Sequence, residues 1–249
     1  MLMNIDIDKL ITIAKKASDA IMEIYSKDFD VEYKEDSSPL TEADIKANTI
    51  ICDELKKLYP HIPIMSEEND IAPFSVRKNW SEYFCIDPID GTKEFIKKNG
   101  EFSINIAYMK QNIPFMGVVY APALDELYYS DGQNSFKNGT PLPYMKNSDS
   151  FVIATSKSHP SSKTYTYIQE LQKTHKNTKL IYKGSSLKLC MVASGEVDIY
   201  PRLAPTMEWD TTAADAIVRS AGFMVYEFDT NKPLTYNKKN LLNPRFVVR

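Results

Sequence analysis

The sequence predicts a mixed α/β domain, and three observations carry that expectation. Apolar residues recur at helical spacing from Asp8 to about Tyr25, short apolar runs such as Tyr83-Phe84-Cys85-Ile86 read as buried strands, and the two kinds of segment alternate along the chain with Gly, Pro and Asn between them. At 249 residues the chain is long enough to bury a large core. It is expected to form one domain of two packed halves, about 1–147 and about 148–249, divided in the Gly-, Pro- and Asn-rich segment KNGTPLPYMKNSDS.

In chain order, the stripe Leu10, Ile13, Ala14, Ala17, Ile21 and Ile24 is the core face of a first helix. An extended piece at Val31-Glu32-Tyr33 and a polar loop KEDSSP lead to a second helix that opens at SSPLTEAD and runs to about Leu58. Its expected inward residues are Ile45, Ile50, Ile51 and Leu55, and Thr41 with Asp44 fits a capping box. Ile62-Pro63-Ile64-Met65 reads as a strand that ends at Ser66-Glu67-Glu68-Asn69. Phe102, Ile104 and Ile106 alternate with Ser103, Asn105 and Ala107 as in a half-buried strand, followed by strand-like FMGVVYAP and DELYYSDG, so the sheet is expected to be mixed or antiparallel. The second half reads as strand FVIATS, a polar helix around Tyr165–Thr174 and strand Leu180-Ile181-Tyr182. A glycine turn, a short helix from about Ser186 and a strand to Tyr200 come next. Trp209-Asp210 then opens an alanine-rich helix ended by Ala221-Gly222, and FMVYEF and RFVVR are terminal strands.

Composition narrows the partners. A net charge of −3 and a pI near 5.7 argue against nucleic acid or an anionic membrane as the main partner, whereas a small phosphorylated ligand needs only a local basic cluster. No obligatory protein partner is evident. Cys52, Cys85 and Cys190 are odd in number, far apart and set among apolar neighbours, as reduced core cysteines are. With three histidines and neither C-x-x-C nor H-E-x-x-H, zinc does not fit; the abundant carboxylates point to Mg²⁺. The amino terminus MLMNIDIDKL lacks a basic region ahead of a long apolar run, so a cytoplasmic location is expected, with loose peripheral attachment to the inner membrane left open.

The densest chemistry lies in SEYFCIDPIDGTKEFIKKNGEFSINIA, residues 81–107. Asp87 and Asp90 stand at the end of a strand, on either side of Pro88, and can point at one spot. Gly91 permits a tight turn, and the amides of the helix that follows favour an anion there. Carboxylates for a hard cation and N–H groups for a phosphate oxygen are what metal-assisted phosphoryl hydrolysis requires. The same residues also suit ordinary roles: Asp-Pro and Asp-Gly are common turn dipeptides, Asp44 and Asp210 suit helix caps, Glu67-Glu68 suits a solvated corner, and Lys188 and Arg202 suit surface charges.

The wording of the motifs goes further. DPIDGTKEF resembles the DPIDGT signature of the inositol monophosphatase superfamily of metal-dependent phosphatases. The continuation KEFIKKNGEFSINIA is similar to the CysQ-type branch, which acts on 3'(2'),5'-bisphosphate nucleotides. TEAD, SEE, GSSLK, YPR and WDTTAA extend the resemblance over essentially the whole chain. It implies the layered αβαβα sandwich of the sugar-phosphatase (inositol monophosphatase-like) fold. It also implies Mg²⁺-dependent conversion of adenosine 3',5'-bisphosphate to AMP and phosphate in sulfur assimilation or nucleotide recycling, with two or three ions and lithium sensitivity. On the matching positions, Glu67, Asp87, Asp90, Asp210 and the carbonyl of Ile89 hold metal, and Asp44 and Thr92 orient the attacking water. The amides of Gly91 and Thr92 cradle phosphate, and Ser185, Lys188 and Arg202 contact the nucleotide's phosphates. The first half is then the metal-site half and the second the substrate-recognition half. Two competing readings are an inositol or sugar monophosphatase and a catalytically silent phosphate-sensing protein.

Overall fold

In a computed structural model of the protein, residues 5–33, 39–145, 149–156 and 161–249 are described. Helices α1 (Ile7–Tyr25) and α2 (Glu42–Leu58) bracket the short antiparallel pair β1 (Val31–Tyr33) and β2 (Pro39–Thr41). Then come β3 (Ile64–Ser66), the single turn α3 (Phe74–Arg77), β4 (Glu82–Asp90), α4 (Thr92–Ile96), β5 (Ser103–Lys110), β6 (Ile113–Ala121), β7 (Glu126–Ser130), β8 (Ser135–Lys137) and β9 (Thr140–Pro141). The second half supplies β10 (Phe151–Thr155), α5 (Ser162–Thr174), β11 (Thr178–Tyr182), α6 (Leu187–Ala193), β12 (Tyr200–Arg202), α7 (Trp209–Ser220), β13 (Val225–Glu227) and β14 (Phe246–Val248). The expected division near 147/148 and most of the KEDSSP loop lie outside the described residues.

Strands β3 to β9 form one seven-stranded sheet in sequence order, with β3 and β4 parallel and the remaining neighbours antiparallel. One face carries α1 and α2: Phe84, Ile86, Ile104, Ile106 and Val118 meet Leu10, Ala14, Ile21, Ile51 and Leu55. The other face carries α6 and α7, where Tyr83, Cys85, Ala107 and Val119 meet Leu189, Ala213, Ala214 and Ile217. Beyond α6 and α7 lie β10–β11 and β12–β14–β13, linked by a bridge between Ile153 and Ile199. Their Val152, Ala154, Tyr200 and Phe246 face the helices, and Ile153, Ile199 and Val247 face Ile168 of α5. Helices, sheet, helices, strands and helix therefore stack in five layers, as period-two strands between apolar helix faces require.

Two expectations are corrected here. The alternation in β5 does not separate core from solvent, because every residue from Ser103 to Met109 is buried; it sorts side chains between the two helix layers. Ile45 is not inward but 52% exposed. At ~100° per residue it lies ~200° round the helix from Ala43 and Ala47, which are buried with Ile51 and Leu55. Ile50 is partly buried.

The approach of α7 to the sheet depends on small residues on both sides. A β-carbon at Gly117 of β6 would sit 2.1 Å from the carbonyl oxygen of Ala213, so no other residue fits there without moving the helix that carries Asp210. Cys52, Cys85 and Cys190 are free and buried. Among the described residues no helix is long and apolar enough to cross a membrane.

Candidate active site

Strand β4 continues through the acidic motif instead of ending before it, and a register shift between Asp87 and Asp90 sets their direction. Asp87 pairs with Asn105 and Asp90 with Ser103. In a regular strand residues three apart point to opposite faces, but the extra residue here lets both aspartates match β5 residues two apart, so both face the α7 side with Cys85. Glu67 continues β3 on the same side, its N–H donating to the Ile86 carbonyl at 3.2 Å. Asp210 stands in the first turn of α7, its Oδ2 accepting from the Met207 N–H at 2.8 Å.

These elements bring one carboxylate oxygen each from Glu67, Asp87 and Asp210 within 4.8 Å of one another. They line a cleft of about 250 Å³ together with Ile89, Asp90, Gly91, Thr92, Ser185, Lys188 and Arg202. Every residue singled out in the sequence is thus on the cleft wall except Asp44, which reaches it through Thr92. Asp44 Oδ2 accepts from both the N–H (2.8 Å) and the hydroxyl (2.6 Å) of Thr41, so the cap role exists, and Asp44 Oδ1 is the acceptor facing the Thr92 hydroxyl at 3.5 Å. That hydroxyl also lies 3.2 Å from the Ile89 carbonyl. Gly91 has φ +90°, which an L side chain rarely adopts, and the turn it makes starts α4 at Thr92, with Gly91, Thr92, Lys93 and Glu94 on the cleft wall.

Burial, then repulsion from Glu67, Asp90 and Asp210, pushes the Asp87 carboxyl well above its ordinary value. Asp210 is raised in the same way, by burial and then by Asp90 and Glu67. Asp90 is pushed up by burial to about 6, against the opposing pull of Lys188, the Ser186 N–H and Asn105. A bound cation would remove this repulsion, and a cluster whose ligands among the described residues are all carboxylate oxygens suits a hard divalent ion. The signs give an expected result for metal-free protein. Raised carboxyl values mean that the folded state holds protons more tightly than the unfolded chain; the associated stability is complete below about pH 4 and is lost as pH rises through about 6 and beyond. Thermal scans in chelator should show the midpoint falling from pH 5 to pH 7 at this site's expense, and Mg²⁺ should reduce the fall. A chelated midpoint that is flat or rising across that window, unaltered by Asp87→Asn, would contradict the clustering.

On the substrate-contact side, Lys188 is 4% exposed and is not a solvated surface charge. Its Nζ donates to the carbonyls of Ser185 (2.6 Å) and Lys183 (3.1 Å) and lies over the Tyr200 ring, and burial lowers its pKa to about 8. Arg202 Nη2 donates to the Pro205 carbonyl at 3.2 Å, while its buried Nε has no hydrogen-bond partner among the described residues. Ser185 holds φ +45°, a strained setting for a side-chain-bearing residue, and its hydroxyl is 3.2 Å from that of Ser103. The residues missed in the sequence are Glu94, buried and on the cleft wall, and the Ser103–Asn105–Ser186 group behind Asp90. The one signal for Ser103 and Asn105 was their place as polar side chains within the apolar strand FSINIA.

The inositol monophosphatase family model matches residues 5–246. The 3'(2'),5'-bisphosphate nucleotidase CysQ of Shigella flexneri is 41% identical over 248 residues, covering 97% of this chain and 98% of its own length. That of Haemophilus influenzae is 35% identical, with 97% and 91% covered. Among solved structures, CysQ from Bacteroides thetaiotaomicron superposes with a TM-score of 0.88 at 42% identity, covering 97% of this chain and 95% of that one. An IMPase from Thermotoga maritima gives 0.81 at 28% identity, with 97% and 91% covered. A matching family model over nearly the whole chain and relatives of this identity and coverage, with a cleft that gathers the carboxylates of Glu67, Asp87 and Asp210, agree: the chain belongs to the inositol monophosphatase family, as a CysQ-type member.

Proposed function

We propose that the protein is a Mg²⁺-dependent 3'(2'),5'-bisphosphate nucleotidase that removes the 3'-phosphate of adenosine 3',5'-bisphosphate, giving AMP and phosphate, in sulfur assimilation or nucleotide recycling. The observation that carries this reading is that one cleft holds both the carboxylates of Glu67, Asp87 and Asp210 and the basic side chains of Lys188 and Arg202. A cation site serves the phosphate that is cleaved, and the two basic side chains serve a second anionic group that stays. The names of relatives 35–41% identical over nearly their full length support the same substrate class.

In this reading Glu67, Asp87, Asp90, Asp210 and the Ile89 carbonyl hold the metal. When bound, the metal supplies Lewis-acid activation of water and neutralises charge on the phosphoryl oxygens. The protein's own groups do the orienting. Asp44, pinned at one oxygen by Thr41, accepts a hydrogen bond from the Thr92 hydroxyl at the other, and the Thr92 oxygen then accepts a hydrogen bond from water and turns the water's lone pair towards phosphorus. Amides at Gly91 and Thr92 bind a phosphoryl oxygen at the start of α4. The new bond joins water oxygen to phosphorus, the bond to the 3'-oxygen breaks, and that oxygen leaves with a proton. Ser185, Lys188 and Arg202 recognise the other phosphate.

Phosphate release from adenosine 3',5'-bisphosphate and from inositol 1-phosphate, each with Mg²⁺ and with chelator, tests the proposal. Mg²⁺-dependent release with a clear preference for the nucleotide is expected, and lithium should inhibit it. Preference for inositol phosphate would favour the monophosphatase reading, and no release from either would favour a phosphate-sensing protein.

A further inference from the structure

Asp90 lines the cleft but, like Glu94, is not among the three converging carboxylates, and its surroundings show what holds it. Among the described residues its hydrogen bonds fall on Oδ2 alone: the Ser186 N–H and the Asn105 side-chain Nδ2, at 3.4 Å, both donate to that oxygen. Asn105 is 1% exposed, in register with Asp87 on β5, and its amide orientation is fixed from the other end. Its Oδ1 accepts from the hydroxyls of Ser186 at 2.9 Å and Ser103 at 3.3 Å, so the NH₂ end is turned towards Asp90. Asp90, Asn105 and Ser186 close a ring of hydrogen bonds that joins β4 and β5 of the first half to the start of α6 in the second. A buried amide satisfied at both ends is held in place, and it holds its partner in turn.

We propose that Asn105 is a positioning residue: by engaging Oδ2 it commits Asp90 to one orientation and leaves Oδ1 as the oxygen available to a cation in the cleft. The inference rests on the reading of the cleft as a metal site. Partners that orient metal-ligating carboxylates typically change metal affinity by roughly 10- to 100-fold when removed. A merely structural asparagine would change stability and leave the metal response alone.

The test reads the Mg²⁺ concentration that gives half of the Mg²⁺-induced rise in thermal midpoint, alongside Mg²⁺-dependent phosphate release. In Asn105→Ala that concentration should rise about tenfold or more, and kcat should recover in part at high Mg²⁺. Ile104→Ala, on the opposite face of the same strand, should lower the midpoint through lost packing and leave the half-rise concentration within about twofold. Should the alanine variant fail to fold, Asn105→Ser, which keeps a polar group but falls short of Asp90, is expected to give the same rise. A half-rise concentration unchanged in an Asn105 variant, with wild type responding to Mg²⁺, would overturn the positioning role alone. A wild-type protein with no Mg²⁺-induced rise would overturn the metal reading and the role with it.

Discussion

Asp87→Asn is expected to lower Mg²⁺-dependent phosphate release by about three orders of magnitude while raising the thermal midpoint of the metal-free protein. Metal stabilisation of the developing charge amounts to several kcal/mol, and each ~1.4 kcal/mol is a factor of ten in rate. Asp87 is 2% exposed, and its carboxyl is raised by burial and by Glu67, Asp90 and Asp210 at once, so its charge is costly without a cation. An amide keeps the oxygen that accepts from the Ile89 N–H at 3.1 Å and removes the charge. The two effects have opposite signs, so a loss of activity caused by misfolding cannot imitate the result. Thermal scans with and without Mg²⁺ should also show a smaller rise than in wild type. Retention of activity within tenfold of wild type would move the metal elsewhere.

Arg202→Ala is expected to lower kcat/KM for adenosine 3',5'-bisphosphate by roughly ten- to a hundredfold, on the basis that a hydrogen bond to a charged group contributes about 1.5–3 kcal/mol and ~1.4 kcal/mol is tenfold. A monophosphate lacking the second group should lose much less. The structure makes Arg202 the cleaner probe than Lys188. Arg202 donates to the Pro205 carbonyl at 3.2 Å and lies beside Tyr200, whereas Lys188 ties two backbone carbonyls of the turn itself, those of Lys183 and Ser185. Lys188→Ala should therefore weaken the turn as well as binding, and lower the thermal midpoint more than Arg202→Ala does. Equal losses on both substrates in Arg202→Ala would remove this residue from recognition of the second phosphate and bring the monophosphatase reading forward.

The elements were legible wherever local chemistry decides them. The α1 stripe from Leu10 to Ile24 is buried as its spacing requires, and the Thr41–Asp44 box and the alanine-rich α7 with Asp210 in its first turn stand where expected. Ile45 was misread although its spacing already set it ~200° round α2 from the buried Ala43 and Ala47; the misreading of β5 depended on a distant partner. The alternation of β5 looked half-buried because α7, more than a hundred residues later in the chain, covers the second face.

The sequence by itself determined the residue types, their order and the turn chemistry of the site: carboxylates beside Pro88 and Gly91, a threonine at the helix start, and basic residues after a glycine turn. These are local properties, set by side-chain chemistry and backbone preference. Only the tertiary structure decided that Asp87 and Asp90 share one face, since that depends on the register shift against β5. It alone decided that Glu67, Asp87 and Asp210 converge while Asp90 is held apart by Asn105 and Ser186, and that Lys188 is buried. Distances between groups far apart in sequence follow from packing, and the packing of α7 against Gly117 is what brings Asp210 to the acids of β3 and β4.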